Sequence, residues 1–172
     1  MNTLDVMERP PVEIEEAVYL PNDLSDWVAK SQLREWIVER VNSFNWNNPE
    51  LIDLLRRNPE YEPKALLNTI ALAYLTGVFS GEDIVRTCSR DPEFRAIRPN
   101  LPPRGQEFST FRKLNRVLIM DVLLHVTTKA LRSQFIDADD FAIFPAGLRR
   151  LIVENVGERL DIARHMDRSQ EL

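Results

Sequence analysis

The chain has 172 residues, of which 44% are hydrophobic and 28% charged, with a formal net charge of −5. That apolar content is enough for one packed domain, with or without appendages, and it excludes global disorder. A single cysteine, Cys88, excludes an internal disulfide framework and fits a reducing compartment.

The first residues, MNTLDVMERPPVEIEE, are acidic and lack an apolar stretch, so they do not read as a signal peptide. Residues 1–20 read as an extended, proline-bearing arm. A first helix is predicted from Ser25 to Phe44, with Leu33, Trp36, Ile37, Val41 and Phe44 on one stripe and charges opposite. Asn48-Pro49-Glu50 combines an N-cap, a first-turn proline and an acid at the positive helix end, so a short helix over Leu51, Ile52, Leu54 and Leu55 follows. Pro63 opens the next helix, which runs to a Gly77 stop and is apolar nearly all round, the mark of a central core helix.

Ser80, with an acid three residues on, launches a helix over Ile84 to Ser89. Asp91-Pro92-Glu93 repeats the cap-plus-proline signal for a one-turn helix over Phe94 and Ile97. After a Pro99–Gly105 turn, one long helix is predicted from Gln106 to Phe135, its Val117–Val126 middle almost wholly apolar and therefore buried. Asp137-Ala138-Asp139-Asp140 breaks the chain. A last amphipathic helix over Ala146–Met166 places Leu148, Leu151, Ile152, Val156, Leu160 and Ala163 on one face.

Nothing alternates with period two and glycine is scarce at 5, so the class is all-α: a compact helical bundle. Three parts are expected: the arm (1–20), a helical domain (21–135), and an acidic turn with the amphipathic helix (136–172). The longest uncharged run, Ala65 to Gly81, is too short and too polar to span a bilayer, and a cytoplasmic location is expected.

Charge is unevenly placed. Residues 86–116 hold 8 basic and 3 acidic side chains, a net of +5, against −8 for residues 1–85 and −2 for residues 117–172. Such a field steers a polyanion to one face; the alternative is that these arginines pair with acidic neighbours on folding.

Three segments resemble the N-terminal helical domain of bacterial insertion-sequence transposases of the InsH type. They are Tyr61-Glu62-Pro63-Lys64-Ala65-Leu66-Leu67, then Tyr74-Leu75-Thr76-Gly77-Val78-Phe79-Ser80, and Pro103-Arg104-Gly105-Gln106-Glu107-Phe108-Ser109-Thr110-Phe111-Arg112. The third is similar to the family's Pro-x-His-Ser-Thr-aliphatic-x-x-Phe-Arg, with Gly105, Gln106 and Glu107 in place of the His-Ser-Thr core. The resemblance covers about residues 20–118 and implies a helix-turn-helix-like DNA-binding region. In that family the region precedes a ribonuclease-H-like domain whose three acidic residues hold metal. Residues 119–172 read as helix, too few and too helical for such a domain. A stand-alone or truncated module without catalytic activity is therefore expected, with no cofactor and no metal.

The resemblance implies a helix-turn-helix built from Ser80–Ser89 and a recognition helix from Gln106 to about Arg116. On that helix Phe108 and Phe111 point inward, while Ser109, Thr110, Arg112, Lys113 and Arg116 fall on the solvent side. With Arg104, these form the expected DNA-binding set, arginine for bases or phosphates and hydroxyls for either. The Asp91–Gly105 separation is longer than the usual turn, and Glu107 is unfavourably placed for phosphate.

Other residue groups point to structure. Asp121 and His125 at i, i+4 are two ligands without a third, and read as a polar pair. Asp137, Asp139 and Asp140 lack the further ligands and glycine of a calcium loop. Cys88 continues the Ile84–Val85 apolar stripe and reads as a buried small hydrophobe. Trp36 belongs to the core stripe; Trp27 and Trp46 read as half-exposed. The C-terminal helix either docks on its own domain or pairs with a second copy. The expected partner is double-stranded DNA. The alternatives are a protein-interaction module binding itself or a full-length transposase through the C-terminal helix, or a decayed remnant.

Overall fold

The computed structural model describes residues 19–49, 62–100, 103–135 and 146–170. Most of the predicted arm, the short helix after Pro49, and the Asp137–Asp140 turn lie outside the described residues. Among the described residues the chain forms seven α-helices and a 3-10 turn, with no strand. None of these helices is long and apolar enough to cross a membrane.

The predicted Ser25–Phe44 helix is two pieces. Asp23 accepts hydrogen bonds from the Ser25 amide (2.8 Å) and hydroxyl (2.6 Å), closing a 3-10 turn at Leu24–Asp26. Extended backbone at Ala29 then separates it from α1, Lys30–Asn42. Leu33, Ile37 and Val41 face inward along the predicted stripe.

α2, Pro63–Leu75, begins with proline in its first turn, where a missing N–H costs nothing. Ten of its 13 residues are buried, and it touches every other described α-helix. Burying a Leu or Ile side chain stabilises by about 1.5–3 kcal/mol, so this one helix organises the core. It stops as Gly77 predicts. Gly77 takes φ +80°, the Val78 amide reaches back to the Ala73 carbonyl (2.8 Å) and the Gly77 amide to Tyr74 (3.4 Å). Together these satisfy the last carbonyls in the double-bonded turn that a left-handed glycine permits.

α3 (Gly81–Arg90) is capped by the Ser80 hydroxyl, which accepts from the Asp83 amide at 3.1 Å. Asp91 ends α3 and starts α4 (Pro92–Ile97), accepting from the Glu93 amide at 2.8 Å. Lys30 donates to the other Asp91 oxygen at 2.7 Å, and Arg34 lies 3.1 Å from Glu93, tying α1 to α4. Burial works against the Asp91 charge, but Lys30 and the Glu93 and Phe94 amides outweigh it and hold the carboxyl below its ordinary range.

The predicted Gln106–Phe135 helix is also divided, into α5 (Gly105–Leu114) and α6 (Arg116–Phe135). The cause is Asn115, whose backbone leaves helical geometry (φ −122°, ψ 29°). Its side-chain amide donates to the Phe111 carbonyl at 2.8 Å, the carbonyl its own backbone amide also uses. The break corrects a second expectation. Ile119, Val122, Leu123 and Val126 are buried, but Val117 is 72% exposed and Met120 also lies outside, because α6 turns only one stripe to the core.

α7, Ala146–Gln170, extends a turn beyond the predicted end. Leu148, Ile152, Val156, Leu160 and Ala163 are buried as the periodicity predicts, with Leu151 half-buried, and the helix docks against α6 of its own chain and touches α2. Arg159 on α7 is buried and donates to the backbone carbonyls of Pro21, Asn22 and Tyr74, and to Asn155 Oδ1 at 2.9 Å. Burial pushes its pKa down to about 10, leaving it charged at neutral pH. The Tyr74 carbonyl belongs to the last turn of α2, where a cation complements the helix dipole.

Candidate nucleic-acid interface

The Pro103–Arg116 stretch is shaped by two close contacts. At the first, α3 and α5 meet at their N-termini. A Cβ added to Gly81 would lie 2.4 Å from the Gly105 carbonyl oxygen, so only glycine fits there. The position where the related pattern carries histidine is thus Gly105 here, at a backbone crossing. α3 and α5 pack directly, although α4 stands between them in sequence, so the connection is a helix-bearing segment rather than a short turn. Glu107 Oε2 accepts from the Arg104 amide at 2.7 Å, which engages that carboxylate in capping α5.

The second contact is with α7. Phe108 and Phe111 are buried, as the helical spacing predicts. Arg112, expected to stay in solvent, is only 6% exposed. It sits i+4 from Phe108, so it shares the inward face. Arg112 Nε donates to Asp167 Oδ2 at 2.9 Å, Nη2 forms a close ion pair with Oδ1, and Nη1 donates to the Phe79 carbonyl. Its guanidinium also lies 6.0 Å from the Tyr74 ring centre. Ser109, half-buried, donates to the same Asp167 at 2.7 Å. These two members of the expected DNA-binding set therefore fasten α5 to α7. Sequence spacing shows Arg112 beside Phe111; it does not show that a carboxylate 55 residues later will meet it.

The other four are exposed: Arg104 and Thr110 along α5, Lys113 at its end, and Arg116 at the start of α6. Arg116 lies 3.2 Å from Asp161 of α7, an exposed pair of small energetic weight. Lys113 and Arg116 form one wall of a cleft of about 360 Å³ between α5–α6 and α7, floored by Tyr74 and the Arg112–Asp167 pair. Burial raises the Tyr74 phenol above its ordinary range, with Arg112 and Arg116 opposing the shift, so it stays neutral there.

The positive segment is thus resolved both ways. Arg86 pairs with Asp83 at 2.6 Å and Arg112 is neutralised, while the segment's acids Asp91 and Glu93 are held by α1. Arg90, Arg95, Arg104, Lys113 and Arg116 stay exposed.

Several of the other residues take part in contacts within the fold. Arg40 grips Asp121 through two hydrogen bonds, 2.8 and 3.1 Å. His125 is disfavoured as a cation by burial and by Arg40 and Lys129. Cys88 is buried, and burial pushes its thiol up to about 11. Trp27, Trp36 and Trp46 are half-buried against the core, Trp46 Nε1 donating to the Val41 carbonyl at 2.8 Å. Lys129 lies over the Trp36 ring and Lys64 over Trp46. His165 is exposed.

A family model described as a transposase domain, DUF772, matches residues 22–114. No curated protein and no solved structure matches the chain. The match begins at Asn22, whose carbonyl receives Arg159, and ends with the last residue of α5, leaving α6 and α7 outside it. It takes in the central helix α2, the Gly77 turn, the Ser80 cap and the Gly81–Gly105 crossing. With more than half of its residues inside that match, the chain belongs to the transposase-domain family DUF772.

Proposed function

We propose that this chain is a non-catalytic, duplex-DNA-binding module derived from a transposase N-terminal domain of the insertion-sequence kind. The observation that carries the reading is the exposed cationic edge of Arg104, Lys113 and Arg116 along α5 and the start of α6, on a transposase-family domain. Thr110 lies exposed on the same helix and offers a hydroxyl to a base edge or phosphate. Ser109 and Arg112 serve by holding that edge against α7.

Binding of this kind is chiefly electrostatic. Each phosphate contact adds about 0.9 to the slope of log affinity against log salt. The experiment compares the chain with its Arg104→Ala/Lys113→Ala/Arg116→Ala variant on duplex DNA at two salt concentrations. The expected result is low-salt binding that the variant weakens, with the slope reduced by about 2–3. Absence of wild-type binding at low salt, or an unchanged slope in the variant, would refute the reading. Incubation of DNA with the chain and magnesium is expected to leave it uncut.

A second reading, self-association through α7, is favoured by Val153, Ile162 and Met166, which remain exposed on that helix. Light scattering distinguishes it: a monomer at micromolar concentration removes this alternative.

A further inference from the structure

We infer that α7, which lies outside the transposase-domain match, supplies the second wall of the DNA interface, with Arg164 and Arg168 gripping backbone phosphates across the cleft from Lys113 and Arg116. The inference rests on the proposed DNA-binding function and extends it to a helix the family match does not cover.

Arg164 and Arg168 are spaced i, i+4, so they share one face of α7, and both are exposed. They line the same cleft of about 360 Å³ as Lys113 and Arg116. Between them in sequence, Asp167 lies in the floor of the cleft, 5% exposed and engaged by Arg112 and Ser109. That division matters for the field in the cleft. Among the described lining residues the carboxylate is Asp167, engaged inside the fold, while Lys113, Arg116, Arg164 and Arg168 also line the cleft and Asp161 faces Arg116.

Complementing the helix dipole accounts for Arg168, in the last turn of α7, but not for Arg164 one turn earlier or for the convergence with a second helix. Guanidinium forks suit phosphate oxygens, and two facing pairs suit a strand that runs between them.

The test uses the full chain with Arg164→Gln/Arg168→Gln, which keeps the side-chain stems. Its charge-matched control is Arg149→Gln/Arg150→Gln, exposed at the far end of α7. Circular dichroism and thermal melting check that each variant folds. The expected result is about a ten-fold loss of low-salt affinity for a mixed-sequence duplex and a salt slope shallower by about 2, with the control changing little. Equal behaviour of the cleft variant and the control overturns the inference. If the Arg104/Lys113/Arg116 variant is impaired in the same assay, the proposed function still stands. No wild-type binding overturns both. A rise in melting temperature with pyrophosphate, without duplex binding, assigns the cleft to a small anion and also overturns the inference.

Discussion

At its middle, α7 is fastened by Arg159, whose guanidinium sits on the carbonyl oxygens of Pro21, Asn22 and Tyr74; near its end, it is fastened by Asp167, which receives Arg112 from α5. Both arginines are buried, at 3% and 6% exposure, yet the two sites satisfy them differently. Arg159 meets backbone dipoles at the end of α2, so the charge stays and its pKa falls under the cost of burial. Arg112 meets a carboxylate, so the pair is neutral as a unit. The contrast separates a tether from a device that shapes a field. The Arg159 site binds the domain's first described residues to its last helix. The Arg112–Asp167 site neutralises a carboxylate in the floor of a cleft that Lys113, Arg116, Arg164 and Arg168 also line.

The largest expected effect comes from breaking the second site. Asp167→Ala leaves Arg112 buried without its partner, and should lower unfolding free energy by about 3–5 kcal/mol. Urea denaturation measures it. Arg112→Met/Asp167→Leu should recover most of that loss, because replacing both charges by apolar groups removes the desolvation cost as well. A double variant as unstable as Asp167→Ala would mean that the pair, and not the stranded charge, carries the stability.

Breaking the first site should cost less. Arg159→Met removes a buried cation and its bonds to three carbonyl oxygens, of which the Tyr74 one keeps the Gly77 amide and two lie near the surface, for an expected loss of about 2–3 kcal/mol in the same measurement. A loss larger than that of Asp167→Ala would invert the comparison.

The smallest effect belongs to a third, wetter ion pair that sharpens the role of burial. Lys30→Met removes the cation from Asp91, whose pair is partly exposed at 32% and 18%, and should cost under about 1 kcal/mol. The Asp91 pKa is depressed in the folded state, so its contribution is present above the ordinary value of 3.8 and lost as pH falls through the folded value. The difference in stability between wild type and Lys30→Met should therefore shrink on acidification below that range. A difference that persists unchanged at acid pH would assign the effect to packing of the lysine stem.

Much of the fold was legible residue by residue. Gly77, Ser80 and Asp91-Pro92 each mark a helix end through bonds to neighbours within five residues, and each end lies where those signals put it. The stripes of α1 and α7 follow the same short-range logic. Asn115 is a local signal of the same kind: its side chain competes for the Phe111 carbonyl and divides a helix that apolar content alone makes continuous. For the site, Arg104, Thr110, Lys113 and Arg116 were legible as exposed, whereas Arg112 and Ser109 were not legible as buried ties. Arg164 and Arg168 carried a weak sign in their i, i+4 spacing on the polar side of the last helix, which gains meaning only once α5 faces it.

The sequence by itself determined the helical class, most of the helix caps and stops, and the transposase-domain kinship, because helix periodicity and capping act over a few residues. Tertiary structure alone decided which cations leave the water. That choice depends on carboxylates and carbonyls brought from 55 and 138 residues away, as with Arg112 and Asp167, and Arg159 and Pro21. Inside a core, the desolvation of a charge is offset only by such a partner, and a linear pattern does not record which partner arrives.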